Sequence, residues 1–141
     1  MDALPLSEAA RTTAATLLLA IVAIEAGGLY LLGIVRGSTP ATPFQLAFGR
    51  AGHAHAGVLV TLGLVVQLFA DATALAAPWS QVARSGIPLA AILMSAGFFL
   101  SSAGAGRTAP NGLIVLVYLG AASLAAGAVA LGLGLLVAPA G

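Results

Sequence analysis

Several side chains that can carry chemistry lie inside the apolar segments of this 141-residue chain. Glu25 falls within the first apolar run, and Arg50, His53 and His55 fall within the second. An ionisable group in the hydrocarbon of a membrane costs about 3 kcal/mol or more, so such groups are usually paired and functional. Neutral imidazole is a good ligand for haem iron or a transition metal, and a carboxylate on its second nitrogen fixes its orientation. The sequence therefore predicts a ligand-binding or proton-transfer site that uses these histidines, with Glu25 as a partner.

The spacing of the two histidines limits how they can act. Leu46, Arg50, His53 and Gly57 recur at helical spacing on one face, whereas His55 lies about 200° around the helix from His53. The two histidines therefore cannot bind one ion from an unbroken helix. We expect one to face the interior of its own bundle and the other a neighbouring helix or another subunit, with the identity of the ligand left open.

Glu25 and His53 are predicted to lie at a similar depth on adjacent helices. Each is about ten residues, or about 15 Å, from the same end of its helix. Tyr118 falls in the same half of the fourth apolar run, so Glu25 and Tyr118 are the candidate catalytic residues. His53 and His55 are candidate metal ligands and, with Arg50, candidate cofactor-binding residues. Arg50 suits an anionic group such as a haem propionate, a lipid phosphate or Glu25.

Each of these residues also has a purely structural interpretation. Glu25 can pair with Arg50 or a histidine only to hold two helices together. Arg50 can extend along the helix to reach the membrane surface, and Tyr118 can be an ordinary aromatic of the membrane interface. Phe98 and Phe99 are interpreted as packing residues, although they would also suit a substrate wall.

The elements that position these residues are four apolar runs, at about residues 12–35, 43–70, 87–102 and 111–137. The chain is 60% hydrophobic and 6% charged, with a mean hydropathy of +1.10, whereas about a quarter of a soluble domain is charged. The composition predicts a single transmembrane domain over residues 1–141, an all-α integral membrane four-helix bundle. Thr42 and Pro43 are suited to the cap and first position of the second helix. The 18 glycines include small-residue stripes that permit close helix packing.

Composition also excludes several classes of function. The chain has no cysteine, so disulfides, thiolate metal sites and thiol nucleophiles are excluded. A net charge of +1 gives no basic surface for nucleic acid. The expected location is a membrane, most simply the bacterial inner membrane, with lipid as a partner and no orientation defined by the few arginines.

Three segments of the chain form a recognisable combination: Phe48-Gly49-Arg50-Ala51-Gly52-His53-Ala54-His55-Ala56-Gly57, Phe69-Ala70-Asp71, and Gly97-Phe98-Phe99-Leu100-Ser101-Ser102 before Pro110-Asn111. Together they resemble one protein family, the small four-helix membrane isomerases that include styrene oxide isomerase and hydroxylaminobenzene mutase. The resemblance implies a ferric haem b held between subunits of a homo-oligomer. It also implies an axial histidine from the second helix, and Lewis-acid action on an epoxide or related oxygen.

This chain departs from the family in one motif. The family has a histidine followed six residues later by Asn-Gly, whereas Leu59 and Thr61 occupy the sixth positions after His53 and His55. The fold and the haem site are therefore more transferable than the reaction. The paired histidines also resemble the haem-ligating second helix of haem-copper oxidase subunits, which supports haem but not isomerisation.

Three functional hypotheses follow. The first is a membrane enzyme that binds haem b and acts on a small apolar substrate in the manner of an epoxide isomerase. The second is a small transporter or proton-relay component that uses Glu25 and the histidines. The third is a structural subunit of a larger membrane complex, in which the polar residues only specify helix pairing.

Overall fold

The structure, a computed structural model, describes residues 6–138 and is all-α within that range. Each of its long helices is long and apolar enough to cross a membrane. The helices are α1 (Glu8–Val35), α2 (Pro43–Asp71), α3 (Trp79–Ser102) and α4 (Val115–Val137), with a short 3₁₀ turn at Gly112–Ile114 before α4. The predicted all-α membrane bundle is confirmed. The side of the membrane reached by the α1–α2 and α3–α4 loops is called the distal side, and the opposite side the proximal side.

The helices pack mainly against their neighbours in the chain. The largest interface joins α3 and α4, the next joins α2 and α3, and α1 packs almost entirely on α2. The hydrophobic core lies mainly between α2, α3 and α4, around Val66, Ile87 and Leu131. Little of α1 is buried, so α1 forms an edge of the molecule.

Glycines set the close approach of α3 and α4. A Cβ atom added to Gly86 would lie 2.6 Å from the Cα atom of Gly127, and one added to Gly120 would lie 2.5 Å from Cγ of Met94. Such distances are too short for real side chains, so these positions require glycine. By contrast, the added Cβ of Gly132 has no atom of residues 6–138, apart from its own helix backbone, within 4 Å. The small-residue stripe of α4 is therefore only partly in contact with α3.

The start of α2 agrees with the predicted cap. The Thr42 hydroxyl accepts a hydrogen bond from the backbone N–H of Gln45 at 3.2 Å, and the Gln45 side chain accepts one from the backbone N–H of Thr42 at 3.1 Å. This reciprocal arrangement is a capping box, and Pro43 occupies the first turn. The Gln45 amide also donates to the carbonyls of Ser102 and Gly104 at 3.0 and 2.7 Å. The cap therefore ties the start of α2 to the end of α3.

The third helix begins at Trp79, well before the predicted start near residue 87. Pro88 lies inside the helix, where it has no N–H to donate to the carbonyl of Arg84. The buried amide of Gln67 supplies the missing donor from α2, at 3.1 Å. Because the proline is compensated from another helix, α3 continues through it. The start of α1 at Glu8 also precedes the predicted position near residue 12.

A polar network joins three helix ends on the proximal side. Arg84 forms an ion pair with Asp71 at 2.6 Å and donates to the side chain of Gln67 at 3.2 Å. Asp71 also accepts hydrogen bonds from the backbone and the hydroxyl of Ser7 at 2.9 and 2.8 Å. The network fixes the starts of α1 and α3 to the end of α2. It lies in the half of the protein opposite the histidines.

Candidate functional site

His53 lies between α2 and α1, where α1 has two adjacent glycines. A Cβ atom on Gly28 would lie 3.2 Å from His53 Cε1 and 3.5 Å from Nε2, and one on Gly27 would lie 3.5 Å from Nδ1. The glycines leave the space that the imidazole occupies, so the ring is half-buried against the α1 backbone. His53 therefore lies at the depth of residues 27 and 28, close to that expected for Glu25.

The His53 side chain lines a cavity of about 300 Å³ between α1, α2 and α3, called the inner cavity. Its volume is at the lower end of the range for sites that bind small molecules. Apart from His53, its polar side chains are Thr16 and Ser95, and the rest of the wall is apolar and includes Pro88 and Phe99. The cavity therefore suits a small, largely apolar molecule.

Two of the three polar side chains lack hydrogen bonds within the described part of the chain. The hydroxyl of Thr16 donates to the carbonyl of Thr12 at 2.9 Å. The hydroxyl oxygen of Ser95 is buried and has no partner among residues 6–138. Within the same range, the His53 ring makes no hydrogen bond, whereas the His55 ring makes one. His53 and Ser95 are thus the groups on this wall with unused hydrogen-bonding capacity.

The other histidine faces a different neighbour, as the helical spacing predicts. The Nδ1 atom of His55 lies 2.7 Å from the carbonyl oxygen of Ala51, and its ring centroid lies 5.0 Å from that of Phe98 on α3. A carbonyl oxygen can only accept, so in this contact Nδ1 is the donor and Nε2 lies on the opposite side of the ring. This is the arrangement in which a histidine is oriented to bind a metal.

The remaining predicted site residues lie outside the inner cavity. Glu25 and Arg50 are exposed on the surfaces of α1 and α2, and Tyr118 is 66% exposed on α4. Among residues 6–138, the ion pair in the structure is that of Arg84 and Asp71, so neither Glu25 nor Arg50 takes part in one. Within a single copy of the chain, His53 is therefore the predicted site residue that lines the inner cavity.

Helix geometry explains why Glu25 does not reach His53. Ile24, Gly27 and Gly28 form the face of α1 that packs on α2, and consecutive residues in a helix are about 100° apart. The Glu25 side chain consequently points about 100° away from the face of α1 that contacts α2. The depth of Glu25 could be inferred from counting residues, but its direction depends on which face of α1 packs.

The histidines differ in how well they suit the haem b implied by the family resemblance. The nitrogens of His53 lie close to the α1 backbone, and the adjoining cavity is at the small end for any ligand, so a porphyrin does not fit there. His55 has an anchored ring, and its Nε2 makes no hydrogen bond within residues 6–138. Arg50 lies five residues before His55, about 140° around the helix, and so does not share its side. Within residues 6–138, no group of three His, Cys, Asp or Glu side chains could hold a metal ion.

Sequence reasoning missed two features of this site. Ser95 is one polar residue in an apolar helix, and nothing in its local pattern indicates that it lines a cavity. The pair Gly27-Gly28 was a usable signal, because two adjacent glycines within an apolar helix favour close approach by another group. Phe99, interpreted as a packing residue, packs against glycines and also lines the cavity.

The family resemblance stays a prediction, because it rests on the short segments quoted above. In comparisons with known proteins, the chain matches no family model, no curated protein and no solved structure.

Proposed function

We propose that this protein is a membrane enzyme that binds a small, largely apolar molecule carrying one oxygen atom, such as an aromatic epoxide, in the inner cavity. One observation carries the proposal: His53 makes no hydrogen bond within residues 6–138 and is the titratable side chain among the residues lining this apolar cavity. Because α1 packs almost only on α2, the cavity lies near the lipid, where apolar molecules concentrate. The resemblance to membrane isomerases favours the same class of substrate.

For an aromatic epoxide, the proposed reaction is an isomerisation with no net redox change. A ring N–H of His53 donates a hydrogen bond to the epoxide oxygen and stabilises the negative charge that develops as the benzylic carbon–oxygen bond breaks. The electron pair of that bond goes to oxygen. A hydride then moves with its electron pair from the neighbouring carbon to the benzylic carbon, and the oxygen closes a carbonyl. No proton is gained or lost.

Other cavity residues assist this reaction. Serine side chains turn readily between staggered positions, so the Ser95 hydroxyl can rotate to become a second donor to the oxygen. Phe99 also lines the cavity, and the electron-rich face of its ring would stabilise the positive charge that develops on the benzylic carbon. The apolar wall excludes water that would otherwise add to that carbon.

A second candidate is an enzyme in which His55 would hold haem b. Its support is the hydrogen bond from Nδ1 of His55 to Ala51, which leaves Nε2 free on a fixed ring. Bound haem would supply a Lewis acid for the same epoxide oxygen. His55 does not line the inner cavity, so this candidate places the substrate elsewhere, and the family resemblance implies that haem would lie between subunits.

Styrene oxide turnover by protein in lipid nanodiscs tests both candidates. His53→Leu removes the ring N–H at similar size, and we expect turnover to phenylacetaldehyde to fall about 100-fold. His53→Gln keeps an N–H and should restore part of the activity. His55→Leu is the matched control and should change little.

The opposite pattern would favour the second candidate. Protein made with ample haem would then show a Soret band that His55→Leu removes, and turnover would depend on His55 rather than His53. Turnover that neither variant changes, or no turnover at all, contradicts both candidates for this substrate class.

A further inference from the structure

A second, larger cavity lies on the distal side of the inner cavity. This second cavity, called the distal mouth, has a volume of about 660 Å³ and is lined by Tyr30, by Gly49 and by the backbone after α3, among others. Of the residues that line the two cavities, Phe99 is shared by both. The Phe99 side chain therefore borders both cavities.

The Phe99 ring fits against glycines of two helices. A Cβ atom on Gly52 would lie 2.9 Å from the ring, and Cβ atoms on Gly49 and Gly27 would each lie 3.9 Å from it. The ring thus reaches across from α3 to both α2 and α1, at positions where neither helix has a side chain. The distal mouth, which the ring also borders, has a volume of about 660 Å³ and so has room for the ring if it rotates.

The two cavities differ in chemical character. The inner cavity is almost wholly apolar. The distal mouth is lined by polar groups, including the Gln45 amide, which donates to the carbonyls of Ser102 and Gly104. The Thr42 hydroxyl, also on this wall, donates to the carbonyl of Arg107. A molecule that passed Phe99 would move from an apolar space to a polar one at the membrane surface.

We propose that Phe99 is a gate between the inner cavity and the distal mouth. When closed, it keeps water from His53. When open, it gives a small molecule with one polar end a route between the lipid side and the aqueous surface. As a route for substrate or product, the gate rests on the proposed function, but its opening is a property of the fold that can be measured without turnover.

The chain has no cysteine, so an introduced cysteine can report on water access without background. Ala56→Cys places a thiol on the inner cavity, and Ala105→Cys places one on the distal mouth. The probe is a quaternary-ammonium methanethiosulfonate, which does not cross lipid, applied to each protein in nanodiscs. We expect Cys labelling at position 105 to be fast and labelling at position 56 to be slow.

Removing the gate should change only the inner reporter. Combining Ala56→Cys with Phe99→Ala should speed labelling at least about tenfold, because opening then no longer limits access. Phe99→Leu, which leaves a smaller side chain, should give a smaller increase and serves if Phe99→Ala does not fold. Phe98→Ala is the matched control, since Phe98 packs on Phe48 and His55 and lines neither cavity.

Two results would overturn the gate. One is labelling at position 56 that is already as fast as at position 105 in the chain with Phe99 intact. The other is labelling at position 56 that neither Phe99 variant accelerates. Because labelling does not depend on turnover, a protein inactive on styrene oxide but labelled as expected would refute the proposed reaction and keep the gate.

Discussion

The Gln67 side chain, on α2, allows α3 to continue through Pro88, a residue that normally interrupts a helix. It is 1% exposed, and its amide makes three hydrogen bonds: to the carbonyls of Gly63 and Arg84, and from the Arg84 guanidinium. The carbonyl of Arg84 is the one that Pro88 leaves without a helical donor. Gln67 therefore satisfies, from α2, a backbone group of α3 that would otherwise be buried and unpaired.

Replacing Gln67 should destabilise the protein, and the loss should depend on Pro88. We expect Gln67→Leu to lower the free energy of unfolding by about 1–3 kcal/mol, because the Arg84 carbonyl loses its donor. In a Pro88→Ala background the loss should be smaller, since the new N–H donates to that carbonyl. Unfolding of the four proteins by SDS in mixed micelles measures the coupling. Additive losses would contradict this account.

For the two histidines, residue spacing predicted some features of the site but not others. Spacing alone separated His53 from His55 around α2, and the structure has them against α1 and against Phe98 of α3. Spacing could not identify the partner of His53, because the packing face of α1 is set by Gly27 and Gly28 rather than by Glu25. Ser95 was likewise beyond prediction, since a cavity is formed by three helices together.

At the scale of helices, glycine position matters more than glycine number. Gly120 and Gly127 lie on the face of α4 that contacts α3, whereas the added Cβ of Gly132 meets open space. The α3–α4 interface is the largest in the molecule, so close packing there holds the bundle together. A stripe of small residues in the sequence predicted close approach but not which of its members make it.

Two matched substitutions on α4 test this distinction. Gly127→Ala puts a methyl group 2.9 Å from the Cα of Gly86 and should destabilise the protein by about 1–3 kcal/mol. Gly132→Ala meets no neighbour and should be neutral or stabilising by up to about 1 kcal/mol, because alanine favours the helix. SDS unfolding of each variant gives the comparison. Equal effects would show that helix propensity, not contact, governs both sites.

Element boundaries were predictable where the signal is local. The cap at Thr42, Pro43 and Gln45 fixes the start of α2 with groups that are adjacent in sequence. The start of α3 was not predictable in this way. Gly86-Ile87-Pro88 resembles a helix break, and the group that compensates Pro88 lies on α2. Boundaries that depend on another helix are visible only in the fold.

At the scale of the whole molecule, α1 is an edge with most of its surface uncovered. Two opposite charges lie on the exposed surface of the α1–α2 pair, at Glu25 and Arg50. Each would cost about 3 kcal/mol or more if it faced lipid alone. Among residues 6–138, neither forms an ion pair. We propose that, in the predicted homo-oligomer, a second copy of the chain brings its Arg50 to Glu25 and the reverse, which would remove both costs.

Charge reversal at these two positions tests this arrangement. Glu25→Arg alone and Arg50→Glu alone each place like charges at the contact, so the oligomer should dissociate to the 13.7 kDa chain. The double variant restores opposite charges and should recover the assembly, because the attraction depends only on opposite sign. Light scattering during size exclusion in mild detergent measures the mass. Arg36→Glu is the control, since Arg36 lies at the exposed end of α1, and it should leave the mass unchanged. An oligomer that survives either single reversal, or a double variant that stays dissociated, would show that these charges do not join the subunits.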